Sequence, residues 1–600
     1  MRATVSADTP LRRQDVLPEA PLGGLDRLTR GRDLAKHIRV GPSPWLSKVG
    51  VAGEIEFKRK TMDEGRFTFH AQIGYRSLDD SCRAWAEIHD RLAVTNGAPD
   101  RYGICLDWSM GYPRAERTGR PRGTGLILEG PEDFIRLTGM APVAAHFGDF
   151  VLGMPSAVEN VSAALLAGAT TIGNLAQYFT FRLPGWTDDV GTTLATVEAL
   201  GLIAGQSAPM LVHSNLDDGY AAWLEDMGAT VGFAMIERWI VEDLIGVPLG
   251  HCFGHTFTEP VKRLAFQIAL AEVNPTPGTM IYGNTTLYGP NPTANFGALA
   301  SYILVDAYSL ANRHSGQALT PIPVTEAQRI PTIDEVVDAH LAARFTVERV
   351  GELATIMSPA AADELAQSML ARGRRFYQRV RNGLEDAGFD TTDPAEVMLA
   401  LRRIGPIGLE ARFGDQDEGR PVTSPFVSEI DNLADKILAA VDPADAALVA
   451  AGKVKLVVAT TDVHFYGKRL LGIVLGKLGI ELVDGGVSVD PEVLADVAAE
   501  SGADGIAVST YNGVALSFSQ RLRGELAVRG VAPRVFVGGR LNEIMEDSGS
   551  SLPVDVADEI RQTGVTPCET VEDLVRALAD DIRRASSSLP AKPARRSARA

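Results

Sequence analysis

The chain has 600 residues, of which 45% are hydrophobic and 22% charged, and its formal net charge is −18 with a pI near 5.1. A chain of this length exceeds what one hydrophobic core supports, which predicts two large domains joined by connecting segments. The acidic balance argues against a nucleic acid as partner. The four cysteines are scattered and include no CxxC pair, so they provide neither a disulfide framework nor an iron–sulfur site.

The amino-terminal segment, residues 1–45, is a polar arm without the apolar core of a secretion signal. No run of about 18 apolar residues follows it, which is the length a membrane-spanning helix requires. We therefore expect a cytoplasmic protein that does not span a membrane.

Residues 46–345 alternate short apolar runs with helical patterns, at intervals typical of repeated βα units. Seven or eight such units predict a (β/α)8 barrel, a TIM-like substrate domain. The expected strands are 104–108, 151–154, 170–172, 210–213, 231–235, 248–252, 280–282 and 319–322.

A barrel of this kind binds its ligand at the carboxyl ends of its strands. Arg182 follows an aromatic cluster and is our candidate for a carboxylate anchor, because a guanidinium binds a carboxylate through two hydrogen bonds. An ion pair with Asp188 or Asp189 is the structural alternative for this arginine. Three further polar residues at the predicted strand ends are Tyr178, His213 and Asn215.

Two segments outside the main domains have simpler patterns. Residues 346–450 are mostly helical and charged, and they predict a helical connector. Residues 586–600 are rich in serine, proline and alanine and contain four basic residues, which predicts a disordered basic tail.

Residues 451–585 alternate strands and helices at the pitch of a doubly wound parallel sheet. The expected strands are 454–458, 480–483, 505–508 and 534–537, with helices over 467–478, 491–501, 517–529 and 569–583. Directly after the first strand comes an Asp-x-His-x-x-Gly motif formed by Asp462, His464 and Gly467.

This motif places metal-ligand chemistry at the sheet edge where open α/β folds bind their ligands. His464 is able to ligate a metal through one ring nitrogen while Asp462 accepts the proton of the other, and Gly467 lets the backbone turn beneath a bulky ligand. A capping aspartate beside a surface histidine is the ordinary alternative. Ser509 and the pair Gly538 and Gly539 follow two other strands at the same edge, so a single large ligand is able to touch all three strand ends.

The combination of these motifs resembles the cobalamin-binding domain of vitamin-B12 enzymes, over residues 452–585. The resemblance implies a flavodoxin-like domain in which His464 ligates cobalt from below. It also implies that Asp462, Gly467, Ser509, Gly538 and Gly539 surround the cofactor. The sequence departs from the family's S-x-L pattern, because Tyr511 stands at the apolar position.

A barrel followed by such a domain resembles the adenosylcobalamin-dependent carbon-skeleton mutases, above all glutamate mutase and 2-methyleneglutarate mutase. The resemblance implies a radical isomerase that rearranges a small free carboxylic or amino acid with adenosylcobalamin as cofactor. In that reaction Arg182 would hold a carboxylate, while Tyr178, His213 and Asn215 would position the migrating group. We also expect the protein to form a homodimer.

Two other functions remain open at this point. A corrinoid-dependent methyltransferase uses the same Asp-x-His-x-x-Gly motif, but the segment 428–451 is too short for the four-helix cap that such modules place before the cobalamin domain. A cobalamin-binding sensor also fits the motif, although simple sensing has no need of a barrel of this size.

Overall fold

The computed structural model describes residues 10–19, 21–95, 97–120, 122–217, 220, 223–316, 318–415, 421–461, 466–511, 513–544 and 553–587. The chain forms two compact units, Met1–Ser428 and Glu429–Ala600. Each unit has its own sheet, and each is described by itself.

The first unit is built on a closed barrel of eight parallel strands that pair in chain order, with the last strand returning to the first. This confirms the predicted (β/α)8 architecture. The strands are β1 (Thr68–Ile73), β2 (Arg101–Ile104), β3 (Ala144–Phe147), β4 (Thr171–Ile172), β5 (Leu211–Asn215), β6 (Leu249–Phe253), β7 (Met280–Ile281) and β8 (Ala318–Leu319).

Sixteen described α-helices belong to this unit. A π-helical segment, Trp239–Ile245, follows the tenth of them. The helices are α1 (Arg13–Val16), α2 (Gly24–Leu34), α3 (Pro44–Val49), α4 (Glu54–Asp63), α5 (Leu78–Ala93), α6 (Pro131–Thr138), α7 (Ala157–Leu166), α8 (Ala176–Thr180), α9 (Asp189–Ala204), α10 (Met227–Arg238), α11 (Pro260–Val273), α12 (Pro292–Asn312), α13 (Ile333–Val347), α14 (Val350–Leu353), α15 (Ala360–Asp386) and α16 (Pro394–Phe413).

Helix α4 lies under the amino-terminal ends of the barrel strands. Its Lys58 Nζ donates to the carbonyl oxygen of Gly278, just before β7, at 3.2 Å, and the amide of Glu54 donates to Thr170, just before β4, at 2.9 Å. Both side chains of this helix are buried. The helix therefore closes the end of the barrel opposite the carboxyl ends of the strands.

Two expected strands are wrong in position, and two real strands were not expected. Residues 231–235 lie inside α10, and residues 151–154 form turns that lead into α7. Helix α10 is apolar on nearly every side because α15 covers its outer face, where Gly232 packs against Phe376 and the backbone of Gly373. The unexpected strands β1 and β3 each contain an inward histidine that interrupts the apolar pattern.

The second unit contains a five-stranded parallel sheet in the order β10-β9-β11-β12-β15, with a two-stranded ribbon of β13 and β14 beside it. This is the flavodoxin-like order, so the predicted doubly wound domain is confirmed. The strands are β9 (Lys455–Thr460), β10 (Glu481–Gly486), β11 (Gly505–Thr510), β12 (Arg534–Gly539), β13 (Asn542–Glu543), β14 (Val554–Asp555) and β15 (Thr566–Cys568).

The helices associated with this sheet agree with the expected alternation, except that the sequence pattern does not predict the short helix Ala557–Gln562 or the short strand β15. None of the helices in the described ranges of either unit is long and apolar enough to cross a membrane. The helices are α17 (Pro425–Ala440), which begins at the end of the first unit, α18 (Pro443–Ala451), α19 (Tyr466–Lys477), α20 (Pro491–Ser501), α21 (Ala515–Val528), α22 (Ala557–Gln562) and α23 (Val571–Ser587).

Candidate functional site

The interior of the barrel contains three neighbouring imidazoles. His70 on β1, His146 on β3 and His213 on β5 occupy inward positions of alternate strands, which is how side chains form layers inside a (β/α)8 barrel. The rings of His146 and His213 pack edge to face with centroids 4.4 Å apart, and those of His70 and His146 are 6.2 Å apart. All three side chains are buried.

These imidazoles are neutral at physiological pH. Burial, followed by the positive charge of Arg101, holds the pKa of His146 and of His213 well below the usual range. The same two causes lower the pKa of His70. A neutral imidazole offers one N–H donor and one nitrogen acceptor. These histidines therefore interact with a ligand through hydrogen bonds rather than through a charge of their own.

Glycines on neighbouring strands make room for these rings. A Cβ on Gly103 of β2 would lie 2.1 Å from Gln72 Oε1 and 2.6 Å from His70 Nε2. A Cβ on Gly173, after β4, would lie 2.9 Å from His213 Nδ1. Close packing in a barrel interior therefore requires the smallest residue beside each of these side chains.

The next inward positions, toward the carboxyl ends of the strands, carry further uncharged polar groups. His70 donates from Nε2 to Gln72 Oε1 at 3.1 Å, and Gln72 Nε2 donates to Cys105 Sγ at 3.1 Å. Burial raises the pKa of the Cys105 thiol to about 12 and raises the pKa of Tyr282 well above its ordinary value. Both groups therefore stay protonated, and neither is set up as a nucleophile or a general base.

The structure brings together two of the four predicted substrate residues. His213 lies on the barrel axis, and Asn215, two residues further along β5, accepts a hydrogen bond from the amide of Asp217 at 3.1 Å. Tyr178 instead lies among outer helices, where its hydroxyl and Thr193 Oγ1 are hydrogen-bonded at 2.7 Å. Arg182 donates to the carbonyl oxygen of Arg402 on α16 at 3.1 Å.

Neither of the ion pairs considered for Arg182, with Asp188 or Asp189, is formed as a direct contact. Asp189 pairs with Arg403 at 2.7 Å, and Asp188 caps the start of α9 through the amide of Gly191. Sequence reasoning did not identify His70, His146 or Gln72 as site residues. The sequence feature that identifies His70 and Gln72 is the polar residue at every second position of β1. Alternate residues of a barrel strand face the interior.

In the second unit, three adjacent strands end together at one edge of the sheet. Ser509 at the end of β11 pairs with Thr460 of β9 on one side and with Gly538 of β12 on the other. The amide of Thr461 donates to the carbonyl oxygen of Ser509 at 3.0 Å. Strands β9 and β11 flank the point where the strand order reverses, which is where open α/β sheets bind ligands.

Glycines at this edge leave the backbone without covering side chains. A Cβ on Gly467 would lie 2.0 Å from Ser509 Oγ, and one on Gly539 would lie 2.4 Å from the carbonyl oxygen of Thr510. Gly539 also has φ +92°, and a Cβ on Gly538 would lie 2.8 Å from the carbonyl oxygen of Cys568. Side chains are therefore excluded from the places where a large flat ligand needs close approach to the backbone.

Residues 452–572 match the family model described as "B12 binding domain". These residues are a B12-binding domain. The match begins just before β9 and includes the three strand ends that meet at the glycine-lined edge.

Other comparisons add little to this assignment. The chain is similar to a solved structure titled as a novel cobalamin-binding protein from Desulfitobacterium hafniense DCB-2, at 13% identity, with 48% of this chain and 96% of that chain covered and a TM-score of 0.17. A likeness at that TM-score supports no conclusion about fold or function. No curated protein matches the chain at a significant level.

The described part of the B12-binding domain suits a corrinoid. Gly467, Ser509, Gly538 and Gly539 lie at one edge, as the motif reading expects, and the glycine positions form a cradle that any side chain would fill. Asp462 and His464 lie outside the described residues, so their assignment as cobalt ligand and its partner stays a prediction.

The departure at Tyr511 also has a structural counterpart. Thr510 turns its hydroxyl into the sheet and donates to the carbonyl oxygen of Arg540 at 2.8 Å. Tyr511 is 53% exposed beyond it, with the Arg540 guanidinium 5.9 Å from its ring centroid. An exposed aromatic ring thus stands where the family has an aliphatic side chain.

Proposed function

We propose that this protein is an adenosylcobalamin-dependent radical isomerase that rearranges a small free carboxylic or amino acid. The observation that supports this most is the union, in one chain, of a B12-binding domain and a closed barrel with three neutral imidazoles in its interior. Radical rearrangement needs binding, orientation and exclusion of water far more than it needs an acid–base pair.

The barrel residues have properties suited to that role. Eight strands close without a gap, and α4 seals their amino-terminal end, so water reaches the interior only from the opposite end. His213 and Tyr282 are neutral hydrogen-bonding groups that orient a substrate without exchanging protons with it. Adenosylcobalamin, when bound, supplies the organic radical that removes a hydrogen atom from the substrate and later returns it.

The B12-binding domain contributes the cofactor grip. Its glycine-lined edge would receive the corrin face and the nucleotide tail, with Ser509 offering a hydroxyl that is bonded to no other described residue. His464 is the proposed cobalt ligand. The second unit has only the described helices α17 and α18 before its first strand, and this supports a mutase over a methyltransferase with a four-helix cap.

The test is to reconstitute the full chain with adenosylcobalamin and screen dicarboxylic, amino and hydroxy acids. We expect one acid to produce a cobalt-coupled radical signal in electron paramagnetic resonance and to exchange its deuterium with the 5′ carbon of the cofactor. The control is the same screen with methylcobalamin, which should give neither result. Methyl transfer from methylcobalamin to a screened compound would instead establish the corrinoid methyltransferase, and the isomerase proposal would be abandoned.

A further inference from the structure

The histidine layer has ring nitrogens that no described residue satisfies. Neither ring nitrogen of His213 has a hydrogen-bond partner, and Nδ1 of His146 lacks one too, although all three atoms are buried. Leaving a buried donor or acceptor unpaired destabilises the folded protein. The two rings lie 4.4 Å apart at the barrel axis. A polar ligand bound there would therefore supply the hydrogen-bond partners that these ring nitrogens lack.

A net positive charge lies directly below this layer. Arg101, the first residue of β2, extends across the barrel, where its Nη1 donates to Met280 Sδ on β7 at 3.4 Å. Its Nε lies 3.0 Å from Glu54 Oε1, and Lys58 Nζ lies 3.7 Å from the same oxygen. Two cations thus share one carboxylate, and all three side chains are only 2% exposed.

On the floor side, Glu54 is the one described carboxylate in ion-pair contact with Arg101, and Asp100, which lines the same cavity, pairs with Arg66 at 3.0 Å. Nη2 of Arg101 is buried without a hydrogen-bond partner. The cavity bounded by Glu54, Lys58 and Arg101 measures about 10 Å³, which holds at most one water. A counterion for Arg101 must therefore approach from the histidine side, because burying an uncompensated charge is costly.

We propose that Arg101, His146 and His213 form an anion subsite on the barrel axis that receives one carboxylate of the substrate. The guanidinium supplies the charge and the two neutral imidazoles supply N–H donors, so the ligand class is a small carboxylic acid. A metal ion does not suit the same place, since Arg101 and Lys58 would repel it. In the described ranges, moreover, no three histidine, cysteine or carboxylate side chains are grouped to hold one.

This subsite replaces Arg182 as the carboxylate anchor. Arg182 is engaged with the carbonyl oxygen of Arg402 outside the barrel, whereas Arg101 lies inside it. The inference rests on the proposed function only for the statement that the bound acid is the substrate. The binding itself is a property of the barrel and needs no cofactor.

The subsite is tested by calorimetric titration of the full chain, without cobalamin, using propionate and its uncharged analogue propionamide. We expect propionate to bind at least about tenfold more tightly than propionamide, because a charge-assisted hydrogen bond contributes about 1.5–3 kcal/mol. Arg101→Met and His213→Phe should lose this preference, and Arg101→Lys should keep part of it. The matched controls are Arg39→Met and His37→Phe, which make the same chemical changes at exposed positions of the first unit and should leave binding unchanged.

Two results would overturn the subsite: equal binding of propionate and propionamide by the unaltered chain, or full propionate binding by a folded Arg101→Met variant. If Arg101→Met does not fold, His213→Phe and the acid–amide comparison still decide the question. Cobalamin binding is measured on the same preparations by absorbance. Cobalamin binding without propionate binding refutes only the subsite, whereas propionate binding without cofactor-dependent hydrogen exchange for any acid refutes only the isomerase.

Discussion

The contact between Gly467 and Ser509 yields a prediction whose sign changes with the background. In the unaltered chain, the Cβ introduced by Gly467→Ala lies 2.0 Å from Ser509 Oγ and 2.9 Å from Ser509 Cβ. Rotation of the serine side chain removes only the first overlap. The second overlap is relieved only if β11 or the start of α19 shifts, so the effect of the alanine depends on the residue at position 509.

Two opposing effects set the magnitude. Alanine near the start of α19 gains up to about 0.5–1 kcal/mol in helix propensity over glycine. Overpacking at a closed contact costs about 1–3 kcal/mol. The clash therefore wins with Ser509 present, and we expect Gly467→Ala to destabilise the second unit by about 1–2 kcal/mol. With Ser509→Gly the clash is gone, and the same alanine should stabilise the unit by about 0.5 kcal/mol.

The assay exploits the distribution of tryptophan. All six tryptophans lie between residues 45 and 239, in the first unit, so their fluorescence reports the unfolding of that unit alone. Far-ultraviolet circular dichroism reports both units, and the urea transition seen only by dichroism belongs to the second. Ser509→Ala, which leaves the 2.9 Å contact but removes the 2.0 Å one, should give an intermediate coupling energy.

The reasoning is refuted if Gly467→Ala changes the second transition equally in the Ser509 and the Ser509→Gly backgrounds, because the coupling energy would then be zero. A shift of the tryptophan transition would also contradict it. Cobalamin retention on dialysis should fall with Gly467→Ala and recover partly in the double variant, because Ser509→Gly removes the backbone shift but leaves the alanine methyl group in the cradle.

Three further predictions concern titrating and ligating groups. Burial lowers the pKa of Lys58 from 10.5 to about 8, so the charged amine destabilises the native barrel by about 3 kcal/mol. Lys58→Met should therefore be more stable than the unaltered chain at pH 7. Between pH 8 and 10.5 only the unfolded chain still binds the lysine proton, so the difference in urea midpoint between the two proteins should shrink as the pH rises through this range. Burial raises the pKa of Glu410 from 4.5 to about 7, so between these values only the native state still binds the proton. The free energy of unfolding of the unaltered chain should therefore fall as the pH rises from 4.5 to 7, and it should change less in Glu410→Gln. His464→Gly should weaken cobalamin binding, and ¹⁵N-histidine labelling should alter the nitrogen coupling in the cobalt resonance of the unaltered chain but not of this variant.

The flavodoxin-like unit is predictable from sequence because its central strands, β9, β11 and β12, are buried on both faces. The middle residues of β9 and β12, 456–459 and 535–537, are continuously apolar, and helices separate these strands. The elements that were not expected, β13, β14, β15 and α22, span two to six residues and are too short to show a period. The edge residues follow from the same logic, because parallel strands place their carboxyl ends together.

The outer helices of the barrel were less readable because distant segments cover them. Helix α10 appears as a strand in the sequence since α15, more than a hundred residues later, buries its outer face. Tyr178 was expected at the substrate site for a related reason. Its surroundings depend on Arg402, whose guanidinium lies 4.8 Å from the tyrosine ring centroid. The sequence around α10 does not indicate that α15 packs on it, and the sequence around Tyr178 does not indicate that Arg402 does.

The two strands that the apolar pattern does not predict, β1 and β3, carry His146 of the proposed subsite and the neighbouring side chains His70 and Gln72. An inward position of a barrel strand is filled by an apolar side chain when packing alone decides it, and the apolar run is then recognisable. His70, Gln72 and His146 break that run at inward positions of β1 and β3. A polar side chain placed there reduces stability unless something bonds to it. Buried, unpartnered imidazoles above an excess cation therefore indicate a ligand that offsets their cost when bound. The failure of the apolar pattern in these two strands is itself a functional signal once alternate positions are considered separately.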